Sequence, residues 1–296
     1  MDLTPVQRRT LERLIGLGAA PAFDSDLAGR IRAGLESGLQ ATLPGEGDPI
    51  WVGKGLLNDM QRCEGLFQAS LLREGPPFEH GPRTAAGALF HKAIEIDALT
   101  ERELDPRTVG ERSAASLGRA DPRFEVFWTG LDQIERSELL AEAGRHVDLF
   151  RTSFPPLSRR WAPQTELRLK VRLLGGRVVL SGAPDLALGR TRKLLLDFKT
   201  GKAWPEHPED MRFYALVLLL RTGVPPYRVA TFFLDSGEWQ PEEVTEETLE
   251  HAAGRVLDTV RSAASLSSGG VAGLRPGQHC GWCPRRTVCP AVACRT

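Results

Sequence analysis

Leu180–Lys202 reads LSGAPDLALGRTRKLLLDFKTGK, two strand-like apolar runs around the turn Gly189-Arg190-Thr191-Arg192. Its carboxylates stand where the runs bend or end: Asp185 follows Pro184, and Asp197 belongs to Asp197-Phe198-Lys199. The leucine triplet Leu194-Leu195-Leu196 predicts a strand buried on both faces. Side chains alternate along a strand, so Asp197 and Lys199 share a face while Phe198 points into the core. Two carboxylates can hold a hard divalent cation, and a neighbouring lysine can steady a water nucleophile or developing phosphate charge. That set suits metal-assisted phosphodiester hydrolysis.

Upstream of this stretch, QTELRLKVRLL alternates polar and apolar residues, Gly175-Gly176 makes a hairpin turn, and RVVLSGAPDLAL returns. Glu166 falls on the first of these strands, where an exposed carboxylate is ordinary. Before the sheet, 101–161 is mostly helical and polar. The helix before it, about Thr84–Leu99, contains Gly87, His91 and Glu95 at four-residue spacing, so the three share one face. On its own, a histidine above a carboxylate is usually a solvated pair. LLNDMQRCEGLFQASLL (56–72) reads as one helix carrying Cys63, and a lone cysteine there is usually a small buried hydrophobe. At the start, Thr4-Pro5-Val6-Gln7 is a capping box with proline at the first helical position. A second amphipathic stretch, 26–39, follows a loop at 19–23, and another loop spans 45–49.

Downstream, a loop at 203–208 leads to a helix bearing Asp210 and Tyr214. A second hairpin turns around 235–237, and a helix runs from Thr245 to about Ala264. A small-residue linker, 265–273, then delivers the chain to Cys280-Gly281-Trp282-Cys283 and Cys289. A CxxC turn closes around a single centre, and four thiolates suit Zn²⁺ or a [4Fe–4S] cluster equally well by counting.

Composition sets the bounds. The chain has 296 residues, 41% hydrophobic and 26% charged, with 38 basic against 38 acidic residues. It can bury a sizeable core, and no global basic signature marks a non-specific DNA coat. No apolar run is long enough to span a bilayer and the start is polar, so a cytoplasmic protein is expected. Five cysteines, an odd number concentrated near the end, fit a metal or cluster better than a disulfide framework. No GxxxxGK[ST] sequence occurs, so any motor must be another chain.

Pro184-Asp185 with Asp197-x-Lys199 resembles the PD-(D/E)xK nuclease superfamily, and more closely its RecB-like branch, which includes the nuclease domains of AddAB and RecBCD and the CRISPR-associated RecB-like exonucleases. Gly87, His91 and Glu95 match that branch's GxxxHxxxE, and Tyr214 matches its QxxxY, although Asp210 stands where glutamine is usual. Cys63 with Cys280, Cys283 and Cys289 matches the upstream cysteine and C-terminal CxxCxxxxxC of its iron–sulfur members. The resemblance implies an α/β, restriction-endonuclease-like core with a central mixed sheet flanked by helices and a C-terminus stapled by a cluster. It divides the chain into a helical region, 1–50, and a nuclease domain, 51–296, with a helical insertion at about 100–161. It implies that Asp185, Asp197, His91 and the Phe198 carbonyl hold Mn²⁺ or Mg²⁺. Lys199 would position or deprotonate the attacking water, and Glu95 would orient His91 or assist from behind the metal's ligands. Tyr214 would bond a DNA phosphate or the active-site lysine. A [4Fe–4S] cluster is implied at the cysteines, with structural Zn²⁺ as the alternative and Cys294 left over. The implied activity is a DNA nuclease, an exonuclease on single strands or ends, in repair, recombination or CRISPR adaptation beside a helicase or adaptation proteins. The alternative is a non-cleaving iron–sulfur DNA-binding or assembly subunit.

Overall fold

The computed structural model describes residues 3–16, 21–43, 45–200, 203–233 and 236–293. Cys294, Gly201–Lys202, the hairpin's Asp235 and part of the loop at 19–23 lie outside the described residues. Thr4 opens α1 (Pro5–Ile15) with the expected capping box shared with Gln7. Helix α2 (Leu27–Thr42) buries Leu27, Ile31, Leu35 and Leu39 along one face. Strand β1 (Ile50–Val52) leads into α3 (Lys54–Arg62) and α4 (Glu64–Leu71). The histidine helix is α5 (Pro82–Leu99), and the polar stretch after it forms α6 (Pro106–Ala120), α7 (Pro122–Gly130) and α8 (Gln133–Ser153). Then come β2 (Gln164–Thr165), β3 (Leu169–Leu173), β4 (Val178–Gly182), β5 (Leu186–Leu188) and β6 (Leu194–Lys199). Helix α9 (Glu206–Thr222) precedes the hairpin β7 (Arg228–Phe233) and β8 (Glu238–Glu243). Helices α10 (Glu246–Ser267) and α11 (Pro290–Ala293) are the last among the described residues.

The architecture is α/β, with mixed sheets flanked by helices. The strands hydrogen-bond as two sheets rather than one, in the orders β1-β4-β3 and β2-β5-β6-β7-β8. Two long runs read as single strands are each divided between the sheets. QTELRLKVRLL becomes β2 and β3 because Glu166 takes a left-handed φ of 50°. RVVLSGAPDLAL becomes β4 and β5 across Pro184, which has no N–H to give a ladder. The sheets stay joined there, where Glu166 N donates to Asp185 O at 3.0 Å and Leu167 N to Pro184 O at 3.2 Å.

Strand β6 is covered on both faces. Leu195 packs into a core with Met211, Tyr214 and Leu218 of α9 and with the buried faces of α2 and α10. Leu194, Leu196 and Phe198 enter a second core with Phe90 of α5, Phe150 and Phe154 of α8, and Leu14 of α1. Phe198 meets Phe90, Phe150 and Phe232 edge-on, an arrangement the ring quadrupoles favour. At the turn before β6, Gly189 has φ +102°, and a Cβ would lie 2.2 Å from Arg192 O, so the hairpin requires glycine.

Residues 56–72 are not one helix. Cys63 ends α3 and begins α4 with φ −166° and ψ 127°. The tail after α10 supplies the reason. Glu64 N donates to Gly273 O at 3.3 Å instead of to Met60, and Met60 O accepts from Arg275 Nη2 at 2.7 Å. The tail thus takes both halves of one helical hydrogen bond, and the backbone opens at Cys63. Among the described residues, no helix is long and apolar enough to cross a membrane.

Candidate active site

Asp197 and Lys199 leave β6 on the α9 side, as the strand period predicts. Asp197 is 1% exposed. Its Oδ2 lies 2.5 Å from Lys199 Nζ. Burial alone would raise the Asp197 carboxyl, but Lys54 and Lys199 outweigh it and hold it below the usual range. Asp185 comes in from the seam between the sheets. Its Oδ2 accepts from Phe198 N at 2.6 Å. A strand residue projects its N–H and C=O to the same side, so the Phe198 carbonyl also opens toward Asp185. From α5, His91 brings Nδ1 to 3.0 Å from Asp185 Oδ1. Burial opposes charge on His91, yet attraction to Asp185 raises it above the ordinary histidine range.

The donor set fits a hard or borderline divalent cation. His91 Nδ1 and Asp197 Oδ2 are buried atoms held by ionic contacts to Asp185 and Lys199 rather than by well-angled hydrogen bonds. Two carboxylates, an imidazole and a main-chain carbonyl from three elements face one region, a mixture suited to Mg²⁺ or Mn²⁺. Among the described residues, no group of three or more His, Cys, Asp or Glu side chains is a ready-made site for one metal ion. Two lysine ammoniums already stand against the Asp197 oxygens.

The second of those lysines, Lys54, is missed by the sequence reading. Its Nζ lies 3.6 Å from Asp197 Oδ1 and 4.0 Å from Asp210 Oδ2. Burial works against its charge, but Asp197, Asp210 and Asp185 hold it above the usual lysine range. Asp210 is brought to the site: Oδ2 is 3.5 Å from Lys199, and Oδ1 accepts from Asn58 Nδ2 at 2.8 Å. Tyr214 is 2% exposed, with Lys54 Nζ 5.3 Å from its ring centre. Burial, then the charge of Asp197, pushes its phenol above the usual range. It floors the site rather than facing solvent. Glu95 pairs with Lys92, three residues away on the same helix, and not with His91. Glu166 stands nearer: burial and then the charge of Asp185 raise its carboxyl above the ordinary range.

The cysteines gather elsewhere. Cys63, Cys280, Cys283 and Cys289 all line one cavity of 460 Å³. Arg275 N donates to Cys63 Sγ and Gly277 N to Cys280 Sγ, each at 3.4 Å. Burial, reinforced by Cys63, Cys280 and Cys289, raises the Cys283 thiol, a mutual repulsion that a cationic centre would relieve. Arg285 pairs with Glu74 at 2.6 Å and clasps the tail to α4.

No curated protein matches this chain. Two crystal structures resemble it in outline. SSO0001 is 14% identical with a TM-score of 0.34, covering 90% of this chain and 94% of that one. A protein from Eubacterium rectale described as a candidate exonuclease is 10% identical with a TM-score of 0.46, covering 93% and 94%. The model of the PD-(D/E)XK nuclease superfamily matches residues 56–290. That span holds His91, Asp185, Asp197, Lys199 and the four clustered cysteines, and the chain belongs to the PD-(D/E)XK nuclease superfamily.

Proposed function

We propose that this chain is a divalent-metal-dependent deoxyribonuclease of the RecB-like branch, an exonuclease on single-stranded DNA or DNA ends in repair, recombination or CRISPR adaptation. The observation that carries the reading is the convergence of His91, Asp185, Asp197 and Lys199 from α5, the sheet seam and β6. Membership of a nuclease superfamily supports phosphodiester hydrolysis as the reaction. His91, Asp185, Asp197 and the Phe198 carbonyl would hold Mn²⁺ or Mg²⁺. Such an ion, when bound, polarises a phosphate oxygen and makes a bound water more acidic. Lys199 can donate to a water or phosphate oxygen beside Asp197 and so align the nucleophile. Phe198, locked in its aromatic cluster, fixes the backbone between the two catalytic side chains.

In this reading the four cysteines hold a [4Fe–4S] cluster. The four thiols line one cavity and two backbone N–H groups point at their sulfurs, which supports a thiolate-held centre, with structural Zn²⁺ as the alternative. Residues 51–296 form the nuclease domain, 1–50 its helical buttress, and about 100–161 a lid or scaffold. A helicase or CRISPR adaptation proteins would be partners in the cytoplasm.

The test is cleavage of end-labelled single- and double-stranded DNA by anaerobically purified protein, with Mn²⁺, Mg²⁺ or EDTA, after its visible spectrum is recorded. Metal-dependent cutting by a brown protein is expected. A brown protein that binds DNA and never cuts would overturn the nuclease reading in favour of an assembly subunit. A colourless, zinc-containing protein that cuts would overturn the cluster alone.

A further inference from the structure

We propose that Lys54 is a second phosphate-contacting cation of the active site, held there by Asp210 with Asn58 behind it. The inference rests on the nuclease reading above and extends it to a residue which that reading does not use.

Lys54 is the first residue of α3, where the helix dipole disfavours a positive charge. Its place is therefore explained by what it faces, not by helix formation. It faces Asp197 Oδ1 at 3.6 Å and Asp210 Oδ2 at 4.0 Å. Lys199 lies against the other Asp197 oxygen and 3.5 Å from the same Asp210 oxygen. The two lysines thus flank Asp197 and share Asp210. Asp210 itself cannot swing, since Asn58 binds its other oxygen at 2.8 Å. Arg255 in turn reaches Asn58 Oδ1 at 3.5 Å.

Exposure separates the roles. The side chains of Asp197 and Asp210 are 2% and 5% exposed, and that of Lys199 is 17%, whereas Lys54 is 38% exposed. Among these four, Lys54 presents most of itself to an arriving strand. The charges agree. Asp185, Asp197 and Asp210 against Lys54 and Lys199 leave one net negative charge. A divalent cation turns that to one positive charge, the complement of a single phosphodiester. Without Lys54 the loaded site would be neutral toward its anionic substrate.

The test uses the full-length protein and a fluorescein-labelled single-stranded oligodeoxythymidine, followed by anisotropy in EDTA across a range of salt concentrations. Lys54→Met should weaken binding roughly tenfold and reduce the slope of log K against log salt by about 0.7, the value for one phosphate contact on a single strand. Lys54→Arg should restore the slope. Asp210→Asn, which removes the charge opposing both lysines, should tighten binding severalfold, and by less when Lys54 is replaced by Met. A Lys54→Met protein with a lower melting temperature but an unchanged salt slope would show a structural ion pair and overturn the proposal. If wild type neither binds this probe nor cuts DNA with Mn²⁺, the nuclease reading falls and this proposal with it. If wild type binds and cuts and Lys54→Met does both equally well, only Lys54 is misassigned.

Discussion

Asp197 and Lys199 are set by a strand and Asp185 by the seam beside it, whereas Cys63, Cys280, Cys283 and Cys289 are set by a helix break and loops. On β6 the register with β7 runs unbroken from Leu194↔Arg228 to Lys199↔Phe233, and each side chain's face follows from its parity. At the cysteines, few regular elements fix anything. A short 3-10 turn, Gln278–Gly281, and a handful of contacts to α3 and α4 bring the tail in. The strand-built site should survive loss of its chemical groups with the fold intact. The loop-built site should lose structure when its groups are lost.

The sharpest way to break that contrast is Asp185→Ala. Cleavage should fall by about 10³-fold or more. Stability should drop only by about 1–3 kcal/mol, for the unpaired Phe198 N–H. Activity near wild type in a gel assay would remove Asp185 from the chemistry. Next in size, Cys280→Ser should lose the visible absorbance of the proposed cluster and melt roughly 10 °C lower. Closing a loop of some two hundred residues is worth about 4–5 kcal/mol, and each kcal/mol moves a domain of this size by about 2–4 °C. Calorimetry showing an unchanged melt would mean that the cysteines staple nothing.

A smaller effect tests the seam. A Cβ on Gly182 would lie 2.6 Å from Tyr214 Cε1, so Gly182→Ala should cost about 1–3 kcal/mol by urea unfolding. The smallest concerns Glu166, whose raised pKa means the folded protein keeps that proton to higher pH than the unfolded chain. Its contribution to stability is therefore full below the unfolded value of 4.5 and is lost as pH rises through the folded value. In EDTA, Glu166→Gln should melt slightly above wild type at pH 8 and match it at pH 4. A gap that persists at pH 4 would point to packing instead.

What the sequence disclosed tracks how local the cause is. The leucine triplet, the two-residue spacing of Asp197 and Lys199, and Gly189 in its turn are short-range facts, and all three stand in the structure as expected. The superfamily itself was legible from Pro184-Asp185 with Asp197-x-Lys199. The break at Cys63 was not, because Gly273 and Arg275 make it, the latter 212 residues away. Lys54 carried no mark in the sequence because both of its partners, Asp197 and Asp210, come more than a hundred residues later. Glu95 pairs with Lys92 on its own helix, a contact that the resemblance to the nuclease branch did not suggest. Tyr214 carried no mark of its depth, since a buried α9 reads much like an amphipathic one. The division into two sheets was hidden because Pro184 and Glu166 interrupt runs whose alternation otherwise continues.

The opening at Cys63 also has a consequence in time. The tail residues that hold it open emerge from the ribosome 212 residues later, about 10–40 s at ordinary rates of synthesis. Until then Met60 O and Glu64 N lack their partners in the tail, and α3 and α4 are free to run on as one helix through Cys63. The residues of β6 and β7 are therefore synthesised before the tail segment that opens the chain at Cys63. A late segment, Gly273 to Arg275, thus finishes shaping an early one, Met60 to Glu64.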